Sequence, residues 1–246
     1  MQFYSISDRG KQRFNNEDCC VAKSIGQYTV LILADGMGGH SGGEIASSKA
    51  IETVLTALQE KLTRPLIPAQ IFSLLSSALK SANDSIYELS LSDPTLYGMG
   101  TTIDICIISD HNAYIAHIGD SRVYHITSDG KINLVTKDHS LMQYMIEKGE
   151  LTKEQAQHHP QKNVIIRALG TSQGVQEDTA IIKLSEGDRL LLCSDGLTNM
   201  LEEKDICHVV LKNPQPEVAA PELIRRANDA GGDDNITVII ALTEAK

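Results

Sequence analysis

Acidic side chains recur at the ends of apolar, strand-like runs in this sequence of 246 residues. The residues concerned are Glu17, Asp18, Asp35, Asp120, Asp195 and Asp234. Carboxylates that come close together repel each other and stay ionised only with a cation between them. Oxygen ligands without histidine or cysteine are typical of a hard ion such as Mg²⁺ or Mn²⁺. If the strand ends meet at one edge of the folded sheets, the pattern therefore predicts a divalent-metal site.

Asp-Gly dipeptides also have an ordinary structural explanation, because they are favoured in tight turns between strands. Asp129-Gly130 is expected to be such a hairpin turn. Asp35-Gly36 and Asp195-Gly196 follow apolar runs in the same way, and either one alone would be interpreted as a turn. The recurrence of acidic residues at several strand ends favours a shared site over a set of unrelated turns.

A glycine-rich loop follows the first Asp-Gly pair, over residues 35–44. Such a loop lets the backbone approach a ligand, and the helix expected after it would offer unpaired N–H groups. The loop lacks both the Gly-Lys-Ser/Thr ending of a P-loop and the dinucleotide fingerprint. It therefore supports a site here without identifying the chemistry.

The charge balance and the cysteines limit the function classes. Lysine and arginine total 22 against 32 aspartates and glutamates, which disfavours non-specific nucleic-acid binding. The five cysteines have no Cys-x-x-Cys spacing, which disfavours a disulfide framework or a thiolate zinc site. No apolar run approaches the roughly 18 residues of a membrane span, and no signal peptide is visible. We expect a cytoplasmic monomer with no membrane or nucleic-acid partner.

Apolar, β-branched runs predict strands, and apolar residues at three- and four-residue spacing predict helices. The predicted strands are residues 28–34, 102–108, 113–118, 189–193 and 236–241, and the predicted helices are residues 43–63, 68–91, 201–211 and 219–230. Two consecutive long helices among many strands favour an α+β fold in layers, with the helices outside.

Residues 138–165 predict two short helices inserted between strands. Gly149 would end the first helix, and Thr152 with Gln155 has the form of a capping box that starts the second. No repeat or flexible linker divides the chain. We therefore interpret residues 1–246 as a single catalytic domain that carries a flap at about residues 138–165.

The acidic strand ends belong to a longer series of motifs whose order resembles the protein phosphatase 2C family of metal-dependent phosphatases, in its bacterial branch. The motifs are Ser7-Asp8-Arg9-Gly10, Arg13, Asn16-Glu17-Asp18, Ala34-Asp35-Gly36-Met37-Gly38-Gly39, Met99-Gly100-Thr101-Thr102, Gly119-Asp120-Ser121-Arg122, Asp138-His139-Ser140, Arg167-Ala168-Leu169-Gly170, Ser194-Asp195-Gly196-Leu197 and Gly231-Gly232-Asp233-Asp234-Asn235-Ile236-Thr237-Val238. One motif alone is weak evidence, but the ordered set is highly specific. The resemblance implies a four-layer α-β-β-α sandwich in which two antiparallel sheets are flanked by helix pairs.

The implied reaction is hydrolysis of phosphomonoesters on serine and threonine side chains of proteins, in particular the targets of Ser/Thr kinases. Asp35 would bridge two ions, Mn²⁺ or Mg²⁺, and Asp195 and Asp234 would complete the first ion's site. A water that bridges the ions would attack phosphorus in line, because two cations about 3.5–4 Å apart lower the pKa of that water. Arg13 would bind the substrate phosphate as a forked, permanently charged donor.

The resemblance also implies ligands for the second ion and for a third, weaker one. The Gly36 carbonyl, with Asp18 and Glu17 directly or through water, would serve the second ion. Asp120 would help to hold the third. These roles are carried over from the motifs and are expectations for the structure.

One position departs from the pattern of eukaryotic members, because Met37 stands where they have a histidine thought to act as a general acid. His40 could take that role, although a loop histidine more often caps a turn or faces solvent. His139 and His159 flank the predicted flap, and a direct catalytic role is the less favoured interpretation for both.

Other phosphatase chemistries fit less well. Cys193 is followed by no phosphate-binding loop with an arginine, which excludes the cysteine-based class, and Asp120 lacks the neighbouring histidines of calcineurin-type enzymes. Two alternatives stay open. The chain could be a catalytically dead binding member of the family, or a phosphatase that acts on a small phosphorylated molecule.

Overall fold

The computed structural model describes residues 1–38, 42–157 and 159–244. Its strands are β1 (Gln2–Asp8), β2 (Asp18–Ile25), β3 (Tyr28–Met37), β4 (Gly100–Thr101), β5 (Ile103–Ser109), β6 (Asn112–Ile118), β7 (Arg122–Ile126), β8 (Ile132–Leu134), β9 (Asp178–Lys183), β10 (Arg189–Cys193) and β11 (Ile236–Leu242). Its α-helices are α1 (Gly42–Lys61), α2 (Pro68–Ser92), α3 (Leu141–Glu147), α4 (Lys153–Gln157), α5 (Asp195–Thr198), α6 (Glu203–Lys212) and α7 (Pro216–Asp229).

The strands form two antiparallel sheets over the described residues. The first sheet has the order β1-β11-β10-β7-β8, and the second has the order β2-β3-β5-β6-β9 with β4 paired to β3. Because β1 pairs with β11, the N-terminal strand and the last strand lie side by side in the first sheet. Residues far apart in the chain therefore reach the same end of the sheets.

Side chains alternate between two apolar layers along each buried strand. In β3, Ile32 packs toward α1 and α2, whereas Leu33 packs between the two sheets. In β10, Leu191 packs toward α6 and α7, whereas Leu192 packs between the sheets. The result is helix pair, sheet, sheet and helix pair in succession. The expected α+β fold, a four-layer α-β-β-α sandwich, is confirmed.

Strands that are buried on both faces were predictable because they are apolar throughout. β3, β5, β6, β10 and β11 all lie where the sequence predicts strands, and α1, α2, α6 and α7 match the predicted helices to within a few residues. The sequence does not predict β1, β7, β8 or β9, which mix polar and apolar residues. Gly130 has a positive φ of 95° in the turn between β7 and β8, so Asp129-Gly130 is the hairpin turn that the sequence predicts.

Two short helices occupy the segment of residues 138–165, as the sequence predicts. The Thr152 hydroxyl accepts from the Gln155 N–H at 3.3 Å, and the Gln155 side chain accepts from the Thr152 N–H at 2.8 Å. This is the predicted capping box. A bridge between Ser140 and Ile165 closes the base of the segment. Its role as a flap in a single catalytic domain stays a prediction.

Among the described residues, no helix combines the length and the apolar composition that crossing a bilayer would require.

Replacing a side chain in the layer between the sheets should destabilise the whole fold. Leu192 is fully buried there, so Leu192→Ala should lower the free energy of unfolding by about 2–5 kcal/mol through lost burial and an unfilled cavity. Leu134→Ala, at a 42% exposed position in the same sheet, should cost less than about 1 kcal/mol. Urea unfolding of both variants measures the difference. Equal losses would contradict a continuous inter-sheet core.

Candidate active site

Asp18 and Asp35 lie opposite each other on neighbouring strands, at one end of their sheet. They are paired in the register of β2 and β3. The hydroxyl of Thr102 accepts a hydrogen bond from the Asp35 N–H at 2.9 Å, and the Thr102 N–H donates to the Asp35 carbonyl at 2.9 Å. β3 extends past the predicted end at residue 34 because Gly36 pairs with Thr101 of β4. Asp35-Gly36 is therefore part of a strand and not a turn.

Asp18 connects the two sheets through its carboxylate. Oδ2 accepts hydrogen bonds from the Ser194 hydroxyl at 2.7 Å and from the Thr237 hydroxyl at 2.6 Å. Both hydroxyls belong to the first sheet's side of the sandwich, next to β10 and on β11. Oδ1 of the same carboxylate is buried and has no hydrogen-bond partner among the described residues. One oxygen thus fixes the side chain, and the other is free to bind a ligand.

Asp195 and Asp234 come together because two backbone segments approach closely. Asp195 is the first residue of α5, and Asn199 donates to its Oδ2 at 3.0 Å. Asp234 lies just before β11, and the Asn235 N–H donates to its Oδ1 at 2.8 Å. A Cβ atom at Gly196 would lie 2.0 Å from the Asn235 carbonyl oxygen, so only glycine fits between the segments.

The start of α1 lies against the same site. The Gly36 N–H donates to the Glu17 carbonyl at 3.1 Å, and the Ser47 hydroxyl donates to the same carbonyl at 2.6 Å. A Cβ atom at Gly36 would lie 2.1 Å from the Gly43 carbonyl oxygen. The Glu17 carboxylate also lies against Gly43. Glu17 and Gly36, both expected near the second ion, therefore occupy one corner of the site.

Burial and mutual repulsion raise the pKa values of the clustered carboxylates. Burial, together with repulsion from Asp18, Asp195, Asp120 and Asp234, raises the pKa of Asp35 well above its ordinary value. Burial first, and then neighbouring carboxylates, raise the pKa of Asp195 to about 6, that of Asp18 to about 7 and that of Asp120 to about 8. These five side chains therefore share one electrostatic environment.

The donor set fits divalent cations. It consists of carboxylates that are expensive to keep ionised without a neutralising charge, and buried oxygens of Asp18 and Asp120 have no hydrogen-bond partner among the described residues. Over those same residues, no group of three or more acidic, histidine or cysteine side chains lies close enough together to hold an ion as the side chains stand. Arg13 contacts Asp234 directly and offsets part of the negative charge of the cluster.

Arg13 is the cation expected at the phosphate, and it lies at the edge of the acidic cluster. Its Nη2 donates to Oδ2 of Asp234 at 2.6 Å, and its side chain is half exposed. Partial burial on its own would lower the pKa of Arg13. Attraction to Asp234, Glu17 and Asp195 outweighs this effect and raises the pKa. A guanidinium anchored on one side and open to solvent on the other can receive a phosphate.

Asn235 organises the site although the sequence analysis gave it no such role. Its side-chain amide donates to the carbonyls of Arg9 and Asn15, each at 2.9 Å, and its Oδ1 accepts from the Glu17 N–H at 2.8 Å. This one buried side chain holds the Arg13 loop on both sides. The only signal in the sequence was an asparagine directly after Asp234.

The structure describes two of the three histidines near the motifs, His139 and His159. His40 lies outside the described residues. His159 accepts from the Gln161 N–H at 3.2 Å and so caps a local turn. Both ring nitrogens of His139 are engaged, Nδ1 by the Gly119 N–H and Nε2 by Asp178, which is not one of the five clustered carboxylates. Met37 is the last residue of β3.

The raised pKa values predict that the metal-free protein loses stability as pH rises from about 4 to about 8. In the unfolded chain the carboxyl groups lose their protons near their ordinary pKa, whereas Asp195, Asp18 and Asp120 in the folded state keep theirs up to pH values of about 6, 7 and 8. These carboxyl groups hold more protons in the folded state over this window, and their combined shift exceeds the opposite shift of His139, whose pKa is lowered to about 4, so the free energy of unfolding falls.

Urea unfolding in chelator at several pH values measures this slope. Asp120→Asn removes one of the groups and should make the slope shallower. A free energy of unfolding that rises with pH over this window, or an equal slope in the variant, would contradict the crowding of carboxylates in this site.

Comparison with known proteins shows the family and the overall fold of this chain. A family model described as protein phosphatase 2C matches residues 9–225. The serine/threonine phosphatase stp of Listeria innocua serovar 6a is 38% identical over 235 residues, which cover 95% of this chain and 92% of that protein. A structure of the S. agalactiae serine/threonine phosphatase aligns with a TM-score of 0.90 and 38% identity over 99% of each chain.

A further solved structure is that of the catalytic domain of the serine threonine protein phosphatase PstP in complex with two manganese ions. It aligns with a TM-score of 0.86 and 34% identity, over 99% of this chain and 98% of that one. The family match at residues 9–225 spans Asp18, Asp35, Asp120 and Asp195 and ends before Asp234. This chain belongs to the protein phosphatase 2C family.

Proposed function

We propose that this protein is a metal-dependent phosphatase that hydrolyses phosphoserine and phosphothreonine in proteins. The observation that carries the proposal is the convergence of five carboxylates from both sheets on one environment, with Arg13 at its edge. The names of the family relatives support the same reaction class. The acidic residues that the motif comparison requires are all present, which disfavours a catalytically dead member.

The carboxylate cluster would hold two Mn²⁺ or Mg²⁺ ions. Asp35 would contact both, Asp195 and Asp234 would complete the first site, and Asp18 with the Gly36 carbonyl would complete the second. Glu17 would act there directly or through water, and Asp120 would hold a third ion more weakly. When bound, such ions lower the pKa of water and neutralise charge on the phosphoryl oxygens.

The chain's own groups position the substrate and the ligands. Ser194 and Thr237 hold one Asp18 oxygen, and the other has no hydrogen-bond partner among the described residues, so it would be available to an ion. Thr102 fixes the backbone of Asp35 through hydrogen bonds to both its N–H and its carbonyl. Arg13 is oriented by Asp234, so its remaining donors are available to a phosphate.

We further infer that the substrates are targets of Ser/Thr kinases and that the chain acts as a cytoplasmic monomer. The net charge of −10 disfavours polyanionic partners and leaves Arg13 as the local cation for phosphate. Hydrolysis of phosphothreonine peptides, compared with small phosphorylated metabolites at the same Mn²⁺ concentration, tests the substrate class. Faster turnover of the metabolites would overturn the assignment to proteins.

Removing the central carboxylate should abolish the metal-dependent reaction. Asp35→Asn should lower kcat/KM for a phosphothreonine peptide by more than about 100-fold, because even outer-shell partners of metal ligands are worth about 10- to 100-fold. Steady-state hydrolysis with Mn²⁺ titrated against chelator measures the loss.

A matched control is available in the Asp-Gly pair of the exposed hairpin turn, Asp129-Gly130. Asp129 lies in the exposed turn between β7 and β8 and pairs with Lys131. Asp129→Asn should leave kcat/KM within about twofold of the original, since surface positions of this kind have small effects. If Asp35→Asn behaves like Asp129→Asn, the two-ion proposal fails.

Removing the phosphate-binding cation should weaken substrate binding more than turnover. Arg13→Ala should raise KM for the phosphopeptide about 10- to 100-fold, because a hydrogen bond to a charged group is worth about 1.5–3 kcal/mol. Arg9→Ala, on the same loop, serves as the control, because within the described part of the chain the Arg9 side chain hydrogen-bonds only to the Phe14 carbonyl, at 3.5 Å. Equal KM changes in both variants would remove Arg13 from the phosphate site.

A further inference from the structure

Two consecutive residues, Asp138 and His139, hold both sides of the loop that carries Asp120. The His139 N–H donates to the Gly119 carbonyl at 2.7 Å, and the Gly119 N–H donates to Nδ1 of His139 at 3.0 Å. The Asp138 carboxylate accepts from Nε of Arg122 at 2.9 Å and from its Nη2 at 2.7 Å. Asp120 therefore lies between two anchored residues.

The contacts of His139 define which of its nitrogens carries the proton. Nε2 lies 3.2 Å from Oδ2 of Asp178 and 3.0 Å from Nη1 of Arg167, which can only donate. Arg167 has other acceptors in Asp178 and the Gln176 carbonyl, whereas the buried Gly119 N–H is satisfied by Nδ1. Nδ1 is therefore the acceptor, and Nε2 carries the hydrogen and donates to Asp178.

Electrostatics agree with a neutral ring at position 139. Burial, followed by repulsion from His117, lowers the pKa of His139 to about 4. A neutral imidazole keeps the lone pair that the Gly119 N–H requires. His139 is also 5% exposed. The ring is thus a buried acceptor that contacts the backbone next to Asp120, and it is not placed to exchange protons with a substrate.

A second buried histidine, His117, fixes the backbone directly before Asp138. His117 and Asp104 are cross-strand partners on β6 and β5, and Nδ1 of His117 lies 2.7 Å from Oδ1 of Asp104. Nε2 of His117 donates to the Lys137 carbonyl at 3.0 Å, which fixes the backbone directly before Asp138. The rings of His117 and His139 are 4.7 Å apart. The sheet therefore holds the segment that in turn holds the Asp120 loop.

We infer that His139 is a positioning residue for Asp120: by accepting from the Gly119 N–H it keeps the Asp120 carboxylate in the acidic cluster. Asp120 is buried, and its Oδ1 has no hydrogen-bond partner among the described residues, so the position of its carboxylate depends on how the backbone of its loop is held. Arg122 neutralises Asp138 but does not hold the other side of the loop. This inference rests on the proposed function, because it takes Asp120 as a ligand of the weaker third ion.

Calorimetric titration of the full chain with Mn²⁺ tests the inference without relying on activity. Asp120→Asn should lose the weakest binding step, and His139→Leu, which removes the acceptor at similar size, should weaken that same step by about 10-fold or more. The tighter steps should change by less than about threefold. Thermal unfolding in chelator shows whether each variant is folded.

A pair of polar substitutions separates hydrogen bonding from simple packing. The side-chain oxygen of asparagine can take the place of Nδ1, whereas that of glutamine extends toward the position of Nε2. His139→Asn should therefore keep the weakest Mn²⁺ step within about threefold, and His139→Gln should lose it as His139→Leu does. Equal behaviour of the two polar variants would overturn the inference, and this comparison also stands if His139→Leu does not fold.

His125 provides a matched control, because it is another histidine whose Nε2 contacts an aspartate, Asp188, at 2.9 Å. His125→Leu should leave all Mn²⁺ steps unchanged. If Asp120→Asn loses the weak step and His139→Leu keeps it, the positioning role is wrong while the proposed function stands. If Asp120→Asn keeps every step, the third-ion assignment fails and the positioning role fails with it.

Discussion

Repulsion between buried carboxylates is the constraint on which the site depends. Each acidic group at this end of the sheets would be easier to bury alone, because a neighbour of like charge raises the free energy of ionising it. Local hydrogen bonds and one ion pair offset this unfavourable free energy. Asp18 receives two hydroxyl donors, Asp195 receives an amide and Asp234 receives Arg13. The donors hold the carboxylates in place but leave net negative charge for cations to neutralise.

Those donors explain why the two sheets must be stacked in one layered unit. Asp18 is on β2 of the second sheet, whereas both hydroxyls that bind it come from the side of the first sheet. Asn235, just before β11, likewise reaches the loop that carries Arg13. The apolar layer between the sheets therefore sets the geometry of the site from a distance. The stable apolar core and the electrostatically unfavourable carboxylate cluster at the end of the sheets therefore belong to one arrangement.

The sequence predicts the layers of the fold and the acidic residues of the site, but it does not predict the contacts that position those residues. Strands such as β10 were predictable because burial on both faces makes them apolar throughout, whereas β9 mixes exposed and half-buried residues and has no such signal. Asp35 looked like a strand tip because Asp-Gly is typical of turns, yet pairing with β4 continues the strand. Asn235 and His139 act through backbone groups of residues distant in sequence, which no local pattern encodes.

The glycines of the motifs follow from the same constraint, and this is why the motif series is so specific. At two places beside the clustered carboxylates, two backbone segments approach more closely than a Cβ atom would allow. Gly196 beside Asn235 and Gly36 beside Gly43 are such places, with separations of 2.0 Å and 2.1 Å for a hypothetical Cβ. An isolated Asp-Gly pair needs no such neighbour, as Asp129-Gly130 shows at its exposed turn. What distinguishes Asp35-Gly36 and Asp195-Gly196 from the hairpin turn is therefore the second backbone segment packed against the glycine, which only the folded chain supplies.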